Sequence, residues 1–218
     1  MWNLIVIFLL SFFSVSSFAF DLEDKLNSVV AIFGEESLGS GVLISRDGFI
    51  LSNQHVVEGQ EEILILISQD EEKEDYRTAK IIKSNKLKDL VLLKLKDSPK
   101  NLNFIKLSLK VPEIGDEVHA FGHPEGELWS YSKGYISAHR RNYLAEFGEN
   151  LNSQETKSSG IFSGDVYQTQ TPIFPGNSGG PLLNKDGNLF AINTFTNLES
   201  SLMSYSVTNE EILKFLIN

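Results

Sequence analysis

From Val29 onward the chain is a series of short apolar runs cut by turn residues, and a helical period appears only once, close to the end. The first group comprises Val29–Phe33, Gly41–Ser45, Phe49–Leu51, Glu62–Ile67, Arg77–Ile82 and Leu90–Leu95. A break at Lys96-Asp97-Ser98-Pro99-Lys100-Asn101 marks a connection. The second group comprises Glu117–Phe121, Lys133–Ala138, Asp165–Thr169, Pro181–Leu183, Leu189–Thr194 and Met203–Val207. Runs this short, with Gly, Asn and Asp between them, predict strands joined by tight turns. Many strands and one late helix predict an all-β protein, a barrel or a sandwich. The helix is predicted over 209–218, capped by Thr208 or Asn209, with Glu210 and Glu211 in its first turn. No internal sequence repeat is visible. His139 to Gly164 has no period and is expected to be a long loop.

The chain has 218 residues, enough for one large all-β domain or two small barrels sharing an interface. At 41% hydrophobic and 22% charged residues it has the composition of a folded globular protein. A net charge of −10 argues against a nucleic-acid partner, which needs a basic footprint. There is no cysteine, hence no disulfide framework and no thiolate metal site.

Residues 1–19 predict the compartment. Leu4 to Phe13 is nearly continuous apolar sequence, and Ser17 and Ala19 occupy the −3 and −1 positions of a small-x-small cleavage site. A cleaved secretory signal is expected, giving a mature chain that begins at Phe20 and is periplasmic or secreted. The n-region carries no Lys or Arg, and a membrane-tethered protein that keeps this segment is the alternative. A membrane partner is expected only in that case.

Three residues form a candidate reaction centre. Pro175-Gly176-Asn177-Ser178-Gly179-Gly180-Pro181-Leu182 sets a serine between glycines, where the backbone turns sharply and amides converge on one spot. Ser52-Asn53-Gln54-His55-Val56-Val57 supplies a histidine at the end of an apolar run, and Lys88-Asp89-Leu90 an aspartate at the mouth of another. In this reading Ser178 is the nucleophile, His55 the general base and acid, and Asp89 the group that orients the imidazole. The backbone amides of Gly176 and Ser178 are the candidate oxyanion donors. Each residue alone would be a loop serine, a strand-end histidine or a turn carboxylate; their joint order carries the signal. His119, His123 and His139 have no companion acids at metal-ligand spacing, so no metal and no cofactor is expected. Ser52 is a candidate support for the acid–base pair.

The segments Gly39-Ser40-Gly41-Val42, Leu51 to Val57, Asp89 to Leu95, Gly115-Asp116-Glu117-Val118, Gly134 to Ala138 and Pro175 to Leu182 together resemble a chymotrypsin-fold serine protease of the HtrA/Deg kind. The resemblance covers most of residues 28–207. It implies two six-stranded antiparallel barrels, about 28–97 and 113–208, with the triad in the cleft between them. The substrate class it implies is polypeptide, with unfolded or damaged proteins foremost. An idle peptide-binding or chaperone-like module of the same fold is the alternative.

The sequence also departs from the family pattern. The chain ends about ten residues after its last strand, so no PDZ domain is expected, and the oligomeric state is left open. Gln170, Phe174 and His123 stand where the family often has Asp, Asn and Asn. The resemblance further implies that the primary specificity pocket is lined by Pro172, Ile173, Asn193, Thr194, Phe195 and Ser204. With no carboxylate among them, a small or medium aliphatic residue before the scissile bond is expected.

Overall fold

The computed structural model describes residues 20–34, 38–67, 74–147, 160–196 and 203–218. The expected signal segment and the middle of the expected long loop lie outside them. Among the described residues, twelve strands form two closed antiparallel barrels. The first holds β1 (Val29–Phe33), β2 (Leu38–Leu43), β3 (Phe49–Ser52), β4 (Ile63–Ile67), β5 (Asp75–Asn85) and β6 (Leu90–Leu95). The second holds β7 (Glu117–Gly122), β8 (Ser130–Phe147), β9 (Gly160–Thr169), β10 (Pro181–Asn184), β11 (Leu189–Thr196) and β12 (Ser204–Thr208). A short helix α1 (Leu22–Leu26) precedes them and α2 (Asn209–Ile217) follows.

The two barrels share one strand order. Around the first it is β1-β2-β3-β6-β5-β4, and around the second β7-β8-β9-β12-β11-β10. The sequence shows no repeat because closure depends on pairing order and on apolar patterning, which different residues satisfy equally well.

Each barrel has its own interior, and a third apolar layer joins them. Val30, Ile32, Leu43, Ile50, Ile63, Ile65, Val91 and Leu93 fill the first. Val118, Ala120, Ile136, Tyr167, Leu182 and Phe190 fill the second. Between them pack Val29, Val42, Leu51, Leu90, Phe121, Leu183, Leu189, Val207, Ile212 and Phe215. Strands such as β1 are therefore buried on both faces, which explains their unbroken apolar composition. Val29 faces the partner barrel while Val30 faces its own.

The sequence reading of 139–164 as loop is corrected here. Residues up to Phe147 continue β8, and those from Gly160 belong to β9, paired from Tyr143↔Gly164 to Phe147↔Gly160. This ribbon projects beyond the barrel. Leu144 and Ile161 are exposed on one face of it, while on the other Phe162 is buried and Tyr143 and Ala145 pack against the layer between the barrels. Bulges between Ile136 and Ala138 and between Arg140 and Tyr143 further break the register of two. The terminal helix lies where expected, with Thr208 as its N-cap, the Oγ1 accepting from Glu211 N–H at 3.3 Å.

Candidate active site

Asp89 closes the turn that leads into β6. It has a φ of 50°, unusual for a residue with a Cβ, and is 1% exposed. Its carboxylate collects four hydrogen bonds. Oδ1 accepts from the His55 backbone N–H at 3.0 Å and lies 3.0 Å from His55 Nδ1, while Oδ2 lies 2.8 Å from the same Nδ1. Oδ2 also accepts from Thr194 Oγ1 at 2.5 Å. Asn53, fully buried, donates from Nδ2 to the Asp89 carbonyl at 2.8 Å. The carboxylate is acceptor-only when ionised, so it fixes Nδ1 as the protonated nitrogen and leaves Nε2 as the basic one.

His55 opens a single 3-10 turn, His55–Val57, anchored by the buried Val56 and Val57. Its side chain keeps 29% of its surface. Burial pulls the imidazole downward, but the Asp89 charge, the hydrogen bond to Asp89 and the charge of Glu58 outweigh it. The pKa stands above the ordinary 6.5.

Ser178 sits in the loop between β9 and β10, its Oγ donating to the Thr194 carbonyl at 3.2 Å. Thr194 thus touches both sides of the site, accepting at its carbonyl from Ser178 and donating at its hydroxyl to Asp89. The loop is fixed from the first barrel. Ser40 N–H donates to the Ser178 carbonyl at 2.8 Å, and Ser40 Oγ donates to the Gly176 carbonyl at 2.6 Å. Gly176 has a φ of 99°, and a Cβ there would overlap the His123 carbonyl. The Pro175 carbonyl accepts from Glu125 N–H at 2.7 Å, which turns the N–H of the following Gly176 to the opposite side of that peptide plane. Among the described residues, neither the Gly176 nor the Ser178 amide has a partner within the protein.

The remaining expectations fare differently. Ile173 is 4% exposed and packs inside the second barrel with Val118, Ile136 and Phe190. Asn193 is fully buried, Nδ2 donating to the Pro181 carbonyl at 3.3 Å and Oδ1 accepting from Ser206 Oγ at 3.1 Å. Thr194 is committed to Asp89. Apolar packing thus holds the Ile173 side chain, and internal hydrogen bonds hold those of Asn193 and Thr194. Pro172 is exposed and its carbonyl accepts from Ser132 Oγ at 3.1 Å. Ser204 is fully buried and donates to the Thr171 carbonyl at 2.7 Å. Phe195 stacks on Tyr205 at 5.0 Å between ring centres. Ser52 supports the nucleophile side and not the acid–base pair: its Oγ donates to the Ser40 carbonyl at 2.7 Å.

Ser40, Asn53 and Thr194 are the site residues whose roles sequence reasoning missed. Asn53 left one signal, a polar residue immediately after the apolar run that delivers His55. His123 is also closer to the site than expected. It is fully buried, accepts at Nδ1 from Trp129 N–H at 2.9 Å, and burial pushes its pKa down to about 4. His139, read as lacking companion acids, meets Asp165 and Glu210 in space. The charge of these carboxylates is met by Arg141, whose Nη1 lies 2.8 Å from Asp165 and 2.7 Å from Glu210.

The trypsin-like peptidase domain model matches residues 39–192, and the chain belongs to that family. Within it, the relatives are of the HtrA kind. The chain is 36% identical over 165 residues to a probable periplasmic serine endoprotease, DegP-like, of Pseudomonas putida, a match covering 73% of this chain and 29% of that one. It is 34% identical over 161 residues to the serine endoprotease DegS of Haemophilus influenzae, covering 73% and 42%. Among solved structures, an HtrA-type protease, AlgW, bound to a tripeptide superposes with a TM-score of 0.71 at 28% identity, over 89% of this chain and 60% of that one. The chain thus spans less than half the length of these two curated relatives.

Proposed function

We propose that the chain is an exported serine endopeptidase that hydrolyses polypeptides through an acyl-enzyme. The observation that supports this most is the Asp89 carboxylate, bonded to both the backbone and the ring N–H of His55. In the reaction, Ser178 Oγ–H turns from the Thr194 carbonyl to His55 Nε2. The imidazole takes the proton as Oγ bonds to the scissile carbon. Asp89 stabilises the imidazolium without taking the proton itself. The oxygen that becomes negative meets the amides of Gly176 and Ser178, which among the described residues have no acceptor to give up. His55 then protonates the leaving amine, and water repeats the sequence to free the acyl group.

Polypeptide substrates follow from the relatives' description as endoproteases. The reading of export is supported by the segment before Phe20 and by the periplasmic relative; among the described residues no helix is long and apolar enough to cross a membrane. No acidic residue stands among Pro172, Phe195 and Ser204, so a small or medium aliphatic side chain before the scissile bond is favoured over Lys or Arg. An idle binding module of the same fold is the second reading. It draws on the Ser178 hydroxyl being engaged with the Thr194 carbonyl.

Cleavage of unfolded casein across pH separates the two. Ser178→Ala and His55→Ala are each expected to lose on the order of 10⁴-fold or more in rate. Wild-type activity is expected to rise with pH, with a midpoint above 6.5, because His55 must be neutral to act as base. The linkage runs the other way for stability. A raised histidine pKa stabilises the fold fully below 6.5, and that contribution fades as pH climbs through the folded-state value. Casein cleavage by Ser178→Ala at the wild-type rate would overturn the assignment.

A further inference from the structure

The turn that presents Asp89 is held from the opposite barrel. Its backbone closes by Asp89 N–H donating to the Lys86 carbonyl at 3.2 Å. A φ of 50° at a residue with a Cβ costs on the order of 1 kcal/mol, so the turn depends on its surroundings. Its own barrel supplies Asn85, whose Oδ1 accepts from Lys88 N–H at 3.0 Å, and Asn53 on the Asp89 carbonyl. The second barrel supplies two more contacts. Ser163 N–H in β9 donates to the Leu87 carbonyl at 2.9 Å. Glu211 in α2 reaches Lys88, Oε2 to Nζ, at 3.0 Å.

Glu211 is 5% exposed, and its other carboxylate oxygen lies 3.4 Å from Lys214 Nζ. It occupies the third position after the Thr208 cap, where a glutamate commonly folds back onto the cap's own amide. Here its two oxygens are on the two lysines. Lys88 passes over Gly164, where a Cβ would press against the lysine's Nζ and Cδ. A buried ion pair is weak as a source of net stability, because desolvation offsets much of the attraction. Its placement one residue before Asp89 gives it a different use.

We propose that Lys88 and Glu211 form a clasp between the barrels that positions the Asp89 turn, and with it the His55 imidazole. Both are positioning residues; neither touches substrate. The inference rests on the triad reading above and adds a route by which α2 sets the activity of a site on the first barrel. Displacing the turn moves the carboxylate off His55 while leaving Ser178 and its loop in place. The loss therefore falls on kcat and on the apparent pKa of the base, with KM little changed.

The test is the pH profile of kcat and KM for Lys88→Met, Lys88→Arg, Glu211→Gln and the double variant Lys88→Met/Glu211→Gln, alongside Ser178→Ala. Each of Lys88→Met and Glu211→Gln is expected to lower kcat roughly tenfold and to move the apparent pKa down toward that of a free imidazole. The double variant is expected to lose no more than either single one, and Lys88→Arg to keep most of the rate. Lys88 keeps 28% of its surface, so Lys88→Met carries the test even where Glu211→Gln fails to fold. Ser178-dependent activity that Lys88→Met leaves at the wild-type rate and pKa would overturn the clasp alone, as would losses that multiply in the double variant. Wild-type activity in Ser178→Ala would remove the triad reading and the clasp together.

Discussion

In the proposed reaction, Gly176 sets whether the amides around Ser178 face one point. Its φ of 99° lies where a side chain is strained, and a Cβ there would overlap the His123 carbonyl. Gly176→Ala forces either that carbonyl or the Pro175–Gly176 peptide to move, and the peptide is the lighter element. Proteolysis is expected to fall on the order of a hundredfold or more while the barrels stay folded, measured as kcat on a peptide substrate beside a circular dichroism melt. Unchanged kcat would show that this amide does not contribute. At this scale much was legible. Ser178, His55 and Asp89 stand in short local motifs, and glycine flanking a serine is a statement about backbone conformation that needs no partner. The hydrogen-bonding roles of Ser40 and Thr194 were not legible, although Thr194 was expected at the pocket. Their contacts, Ser40 to Gly176 and Thr194 to Asp89, span 136 and 105 residues of sequence, and nothing local in either residue announces the partner. The burial of Ile173 and the hydrogen bonds of Asn193 show the same limit, since neither was legible from position along the chain.

The elements divide by whether a buried face imposed a pattern on them. Strands β1, β3, β4 and β6 are buried on one face or both, and their apolar runs located them in the sequence. The outer half of the β8–β9 ribbon has a packed face, Tyr143, Ala145 and Phe162, but a bulge between Arg140 and Tyr143 breaks its alternation and its polar neighbours read as loop. The helix α2 was legible because Thr208 caps it and acidic residues fill its first turn. Its role as a wedge was not. Ile212 and Phe215 enter the layer between the barrels, with Ile212 wholly buried. Ile212→Ala is expected to destabilise the protein by about 2–5 kcal/mol in urea unfolding, a core truncation with little room to relax. A change below about 0.5 kcal/mol would mean that α2 is not part of the inter-barrel core.

At the scale of the whole molecule, two barrels of one topology meet along an apolar layer, and the site lies across their junction. His55 and Asp89 come from the first barrel, Ser178 and Thr194 from the second, and Ser40 crosses back from the first to hold the nucleophile loop. The proposed chemistry draws on both barrels, so anything that shifts one against the other shifts His55 and Asp89 against Ser178. The central claim is that Ser178 is activated by His55 and faces a formed oxyanion site. Labelling of the purified protein by a fluorophosphonate tests both parts at once, because the probe needs a nucleophilic serine and donors for the phosphonyl oxygen. Stoichiometric labelling that maps to Ser178 and disappears in both Ser178→Ala and His55→Ala is the expected result; a folded wild-type protein that stays unlabelled, or is labelled equally in Ser178→Ala, would contradict it.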